Sequence, residues 1–166
     1  TVINGIVYLD AKNAELRNTT IAPPTFGGDE DNNTNQAVLV TATGAVVDDN
    51  NIDITVTDPD EEYHEGQAVQ VFAPDGDPVS DVVISDNIIT GESPDDGFPG
   101  VVGVNDQANT ERTLIVNNEI DVAGAGYSFG VVTRASGGES STPSSEVLFN
   151  DINATGDELN GVGYGI

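Results

Sequence analysis

Ile115-Val116-Asn117-Asn118-Glu119-Ile120 is the stretch whose reading decides the fold. An apolar residue stands first, Asn fourth and Ile sixth. The pattern returns at Val47-Asp48-Asp49-Asn50-Asn51-Ile52, at Ile84-Ser85-Asp86-Asn87-Ile88-Ile89 and at Val147-Leu148-Phe149-Asn150-Asp151-Ile152. A degenerate copy, Leu16-Arg17-Asn18-Thr19-Thr20-Ile21, has Thr19 where Asn belongs. From Ile21 onward the Ile positions lie 31, 37, 31 and 32 residues apart. A repeat of this period marks an architecture of stacked units.

Between these copies lies a second motif, a small residue followed by Val or Ile. It occurs at Gly5-Ile6, Ala37-Val38, Ala68-Val69, Gly100-Val101, Gly130-Val131 and Gly161-Val162, spaced 32, 31, 32, 30 and 31 residues. The two motifs alternate throughout. Each period holds two or three short strands joined by Gly, Asn, Asp and Pro turns, and no window has a helical period. Stacking one coil on the next, about 4.8 Å apart, predicts an inward row of Leu16, Val47, Ile84, Ile115 and Val147. A second inward row is Ile21, Ile52, Ile89, Ile120 and Ile152. A third is Ile6, Val38, Val69, Val101, Val131 and Val162, with Gln70 and Arg134 pointing outward beside it. Asn50, Asn87, Asn118 and Asn150 are expected to form a structural ladder at a tight turn. Asn tolerates left-handed backbone, and its amide can bond its copy in the next coil.

With these repeats in place, the chain resembles the right-handed parallel β-helix of the pectate-lyase-like superfamily, over all 166 residues. The resemblance implies an all-β fold, a single-stranded solenoid of five to six coils of about 31 residues. It forms one domain, residues 1–166. That fold hosts lyases, hydrolases, tailspikes and adhesins, so it says little about activity. No polar cap is visible at either end, and bare solenoid ends expose strand edges. The chain is therefore expected to be a segment of a longer protein or an assembled subunit.

The composition has 29 acidic side chains against 4 basic ones, for a formal charge of −25. Such a surface repels nucleic acid and anionic lipid. Disorder, the usual reading of an acidic chain, is opposed by 33 Val and Ile residues in regular clusters. No run of 18 apolar residues is present, so membrane insertion is not expected. Cys is absent, which removes disulfides and thiolate chemistry. One Lys among so many carboxylates resembles proteins of extreme halophiles, notably haloarchaea and their viruses. Dense carboxylates hold water and hydrated cations where screening is nearly complete.

Site candidates are weighed against that background. The acidic groups Asp29-Glu30-Asp31, Asp58-Pro59-Asp60-Glu61-Glu62, Asp75-Gly76-Asp77 and Asp95-Asp96 read first as solvated turns. If one of them holds Ca²⁺ or another cation, Asp58, Asp60, Glu61 and Glu62 carry the densest charge. The sequons at Asn18, Asn32 and Asn153 are glycosylation candidates on an extracellular surface. Polygalacturonases of the resembled family carry Asn-Thr-Asp, Asp-Asp, Gly-His-Gly and Arg-Ile-Lys motifs. Here Asp48-Asp49 and Asp95-Asp96 match the second, and the other three are missing. No catalytic residue is assigned. His64 reads as a loop residue. Tyr8 and Tyr164 read as filling the core or an end, and Tyr127, Phe129, Phe72, Phe98 and Tyr63 as turn packing. The insertions at 22–36, 58–67, 75–81, 91–99 and 137–145 are where recognition would reside.

The expected function is a non-enzymatic extracellular structural and recognition module: a surface fibre, adhesin or viral tail or spike protein of a halophile. Its partner would be a glycan or a protein, with a homotrimer or larger assembly by resemblance to tailspikes. It would sit outside the cell, on the cell surface or on a virion. The alternative is a secreted polysaccharide lyase or glycoside hydrolase of the β-helix superfamily.

Overall fold

The computed structural model describes residues 1–22, 35–55, 65–73, 78–93, 100–107, 109–124, 127–133, 144–156 and 162–164. The described residues contain eighteen strands and no helix. The first six are β1 (Val2–Ile3), β2 (Val7–Leu9), β3 (Glu15–Arg17), β4 (Thr20–Ile21), β5 (Asn35–Val40) and β6 (Val46–Asp48). Next come β7 (Asn51–Thr55), β8 (Glu65–Val71), β9 (Val79–Ser80), β10 (Val83–Ser85), β11 (Ile88–Glu92) and β12 (Gly100–Asp106). The last are β13 (Thr110–Val116), β14 (Glu119–Gly124), β15 (Tyr127–Thr133), β16 (Ser144–Leu148), β17 (Asp151–Gly156) and β18 (Val162–Tyr164).

The chain visits three sheets in rotation. The first is ordered β1-β4-β7-β11-β14-β17, the second β2-β5-β8-β12-β15-β18, and the third β3-β6-β10-β13-β16, with β9 also paired to β13. Every pairing is parallel. Parallel neighbours reached by going once around a closed wall make a β-solenoid, with its core inside the wall.

Two inward rows lie where the repeats put them. Ile21, Ile52, Ile89, Ile120 and Ile152 are successive register partners. So are Leu16, Val47, Ile84, Ile115 and Val147. All are buried except Ile152 and Val147, which are half-buried. In β7 the alternation is strict: Ile52 and Ile54 point in, while Asn51, Asp53 and Thr55 are exposed. Each fully enclosed Ile contributes about 1.5–3 kcal/mol of transfer free energy.

The second sheet corrects the third expected row. Its register runs Val7, Val38, Val69, Val104, Val131. Ile6 lies one residue before that row and is 43% exposed. Val101 is buried but pairs with Gly66 and Ser128. Val162 pairs with Tyr127. The repeat is uneven here: the Val104 position follows Val69 by 35 residues and precedes Val131 by 27. β12 contains two Gly-Val pairs, and the second one is in register. Gln70, expected outside, is buried between partners Leu39 and Asn105. Residues 66–71 of β8 are all buried, so this strand hides both of its faces. Arg134 lies outside the described residues.

The small residue of the second motif has a steric cause. A Cβ on Gly103 would stand 2.5 Å from the Gly130 carbonyl oxygen and 2.6 Å from Ile120 Cγ2; one on Gly130 would stand 2.1 Å from Ile152 Cγ2. The row therefore faces the Ile row across a narrow interior. Tyr8 is 61% exposed on the first coil, not packed in the core. Tyr127 and Phe129 belong to strand β15 rather than a turn, with ring centroids 5.4 Å apart.

Candidate functional site

The turn between the third and first sheets holds the Asn row. Asn50 Nδ2 donates to Asn87 Oδ1 at 3.0 Å, Asn87 Nδ2 to Asn118 Oδ1 at 2.9 Å, and Asn118 Nδ2 to Asn150 Oδ1 at 2.9 Å. Each Nδ2 also donates back to a carbonyl of the preceding coil: Leu16, Val47, Ile84 and Ile115 in turn. Each Oδ1 also accepts from a backbone N–H of the preceding coil, on Thr19, Asn50, Asn87 and Asn118 in turn. The carbonyl bonds fix which way each amide faces, because only the nitrogen can donate. At Thr19 the hydroxyl turns to Arg17 O instead.

Left-handed backbone is not at the ladder residues, as expected from the sequence, but one position earlier. Asn18, Asp49, Asp86, Asn117 and Phe149 have φ of 51°, 54°, 54°, 57° and 56°. The turn thus divides two tasks between neighbours: one residue reverses the chain, and the next bonds the adjacent coil.

A second polar centre lies where β13 meets β16. A groove of about 340 Å³ is lined by Arg112, Thr113, Leu114, Ser144, Ser145 and Glu146. The register of β13 against β16 slips between Glu111 and Thr113, and the extra residue, Arg112, has φ 55°. Such a bulge re-aims a side chain. Arg112 N–H donates to Ser144 Oγ at 2.9 Å. Its guanidinium reaches Asp81 two-pronged, Nε to Oδ1 at 2.7 Å and Nη2 to Oδ2 at 2.8 Å, and touches Glu111 at 3.3 Å. These bonds hold the Asp81 carboxyl below its ordinary range and raise Arg112 above its own. The groups are exposed, so the pairing adds little stability.

Behind the groove lies Asp106, fully buried at the end of β12. Ser145 Oγ donates to its Oδ2. Burial pushes the carboxyl above its ordinary range, while the hydroxyls of Ser145, Thr110 and Thr113 act in the opposite sense. Asp106 Oδ1 and Thr113 Oγ1, both enclosed, nevertheless lack a partner at hydrogen-bond geometry, as does Asn105 Oδ1. Asn105 Nδ2 is held by Gln67 Oε1 at 2.9 Å. The groove can offer a ligand hydroxyls, an exposed carboxylate at Glu146 and the apolar surface of Leu114. Its guanidinium is already engaged.

The remaining sequence candidates are scattered. Asp58, Asp60, Glu61, Glu62 and Asn32 lie outside the described residues, as do His64, Tyr63 and Phe98. Asn18 is exposed at its turn. Asn153 is exposed on β17 and donates to Asp121 Oδ1 at 3.0 Å. Among the described residues no group of three or more His, Cys, Asp or Glu could hold a metal ion. Arg112 lies within β13, and sequence reasoning missed Asp106, Thr113 and Ser145 as a group. The available signal was an Asp ending an apolar strand, Val101-Val102-Gly103-Val104-Asn105-Asp106. No family model, curated protein or solved structure matches the chain.

Proposed function

We propose that the chain is a non-enzymatic extracellular module of a halophile: a stiff rod that carries recognition surface on its outside. The observation that carries this reading is the Asn ladder, continuous from Thr19 to Asn150, beside two continuous apolar rows. A wall tied coil to coil in this way resists bending and presents loops and grooves at fixed spacing. The groove at β13 and β16, with hydroxyls and a carboxylate around Leu114, has the chemistry of a saccharide seat. The acidic surface supports the halophilic part of the proposal. Against the hydrolase or lyase alternative stands Arg112, bound on both prongs by Asp81 and so withdrawn from substrate.

The test is a panel of neutral and acidic polysaccharides in about 3 M salt, where exposed charge is screened. Binding and turnover are read separately, and native mass is measured by light scattering on the same sample. Saccharide binding without new reducing ends or unsaturated products supports the module. Turnover that tracks the purified chain overturns it in favour of the enzyme.

A further inference from the structure

The corner between β1 and β2 holds Asn4-Gly5, an asparagine followed directly by glycine. Asn4 is exposed. Neither its side chain nor the Gly5 N–H has a hydrogen-bond partner among the described residues. Gly5 is not required by packing. A Cβ there would meet nothing within 4 Å, and its φ is not left-handed. On Gly44, Gly91, Gly100, Gly103, Gly124 or Gly130 a Cβ would stand 2.1–2.7 Å from a neighbour.

The asparagines of the other turns are held. Asn50, Asn87 and Asn118 have their amides in the ladder. The N–H that follows each is also bonded: Asn51 to Thr19 O, Ile88 to Asn50 O and Glu119 to Asn87 O, all at 2.9 Å. After Asn13, the Ala14 N–H donates to Ala11 O at 3.0 Å. After Asn18 and Asn117, the next N–H donates into the ladder.

Asparagine is thermolabile, and its side-chain amide is attacked by the backbone nitrogen that follows it. Glycine has no Cβ to obstruct that approach, and its backbone is the most permissive. We propose that Asn4-Gly5 is a self-modification site, at which the Gly5 nitrogen closes on Asn4 Cγ and the side-chain amide leaves as ammonia. The Gly5 N–H gives its proton to a solvent base. The N–Cγ bond forms, the Cγ–Nδ2 bond breaks, and Nδ2 takes up a proton and departs. The product is a five-membered succinimide, which water then opens. Attack at Cγ breaks the new bond and leaves aspartate. Attack at the Asn4 backbone carbonyl breaks the old peptide bond and leaves isoaspartate, with the main chain routed through Cβ and Cγ. Either product adds a carboxylate to an already acidic rod. Isoaspartate also lengthens the main chain at the corner. Thr20 N–H to Thr1 O at 2.8 Å and Ala22 N–H to Ile3 O at 3.1 Å tie β1 to the next coil. The longer corner shifts β1 against those donors and loosens it.

The experiment incubates the folded chain in about 3 M salt at mildly alkaline pH. Peptides are mapped by mass spectrometry, with fragmentation that tells isoaspartate from aspartate. Asn160-Gly161, which lies outside the described residues, is followed as a separate peptide. Asn4 is expected to convert ahead of Asn13, Asn18 and Asn117, with isoaspartate the larger product. The rate is expected to rise with pH, because the nucleophile is the deprotonated nitrogen. Gly5→Ala, whose methyl fits without contact, is expected to slow conversion at Asn4 by about tenfold or more and to leave the melting temperature unchanged. The same chain in urea separates sequence from structure. Similar Asn4 rates in the folded and unfolded chain support the proposal. Asn4 intact in the folded chain while it converts in urea, or equal rates in Gly5→Ala and wild type, overturns it. Hydrogen exchange at Thr20 and Ala22 is expected to quicken severalfold in the converted protein. Exchange unchanged by conversion overturns the loosening of β1.

Discussion

Phe149 has left-handed backbone and is 85% exposed. The equivalent positions in earlier coils hold Asn18, Asp49, Asp86 and Asn117, whose short polar side chains tolerate that conformation. A bulky aromatic there is strained and buries nothing in return. Phe149→Asn is expected to stabilise the fold by about 1 kcal/mol, measured as a shift in denaturant midpoint, with Phe149→Ala giving no such gain. Inside the ladder the opposite holds. Asn118→Ala removes the acceptor of the Asn87 N–H and Nδ2 and leaves them buried. That is expected to cost about 3 kcal/mol, against about 1 kcal/mol for Asn150→Ala, where the site is half-buried. Equal losses in urea unfolding would argue against the ladder as a continuous element. The ladder was legible in the sequence because the same amide recurs as one letter at Asn50, Asn87, Asn118 and Asn150. The left-handed position was not, because it varies among Asn, Asp and Phe, and only the backbone shows what they share.

At the scale of the strand, register in the second sheet depends on which residue is small enough to face the Ile row. Gly103→Ala drives a Cβ against a backbone oxygen that cannot move alone. Gly130→Ala meets a side-chain methyl of Ile152, in a half-buried coil that can give. The first change is expected to cost about 2–3 kcal/mol and the second about 1 kcal/mol or less, both read from chemical unfolding. A reversal of that order would mean that the Ile152 side chain yields less than the Gly130 backbone does. This is also where the sequence misled. Gly100-Val101 and Gly103-Val104 offer the same two letters, and the even spacing selected the wrong pair. Choosing between them requires knowing which one faces Ile120, and no periodicity contains that. The Asp106 centre was illegible for a related reason: in a sequence with 29 acidic residues, only register shows that Asp106 is enclosed.

Across the whole molecule, like charges crowd a narrow rod. Screening those charges favours the folded state. The melting temperature is expected to climb steadily from about 0.1 M to about 2 M NaCl, followed by calorimetry. A flat or falling curve would show that charge repulsion is not a main opponent of folding here. The fold class was readable from the sequence because a solenoid repeats its chemistry at every coil. The charge explains neither the groove nor its contents. The ladder has a further consequence at this scale. Along it the amide oxygens accept from the preceding coil, and the nitrogens of Asn50, Asn87 and Asn118 donate to the amide of the following one. Sheet dipoles largely cancel, but these do not: they add head to tail, each polarising the next. The rod therefore carries an electrical axis, with its positive pole at the Asn150 end and its negative pole toward Thr19. It is a compass needle of amides, whose two ends present different fields to anything that approaches along its length.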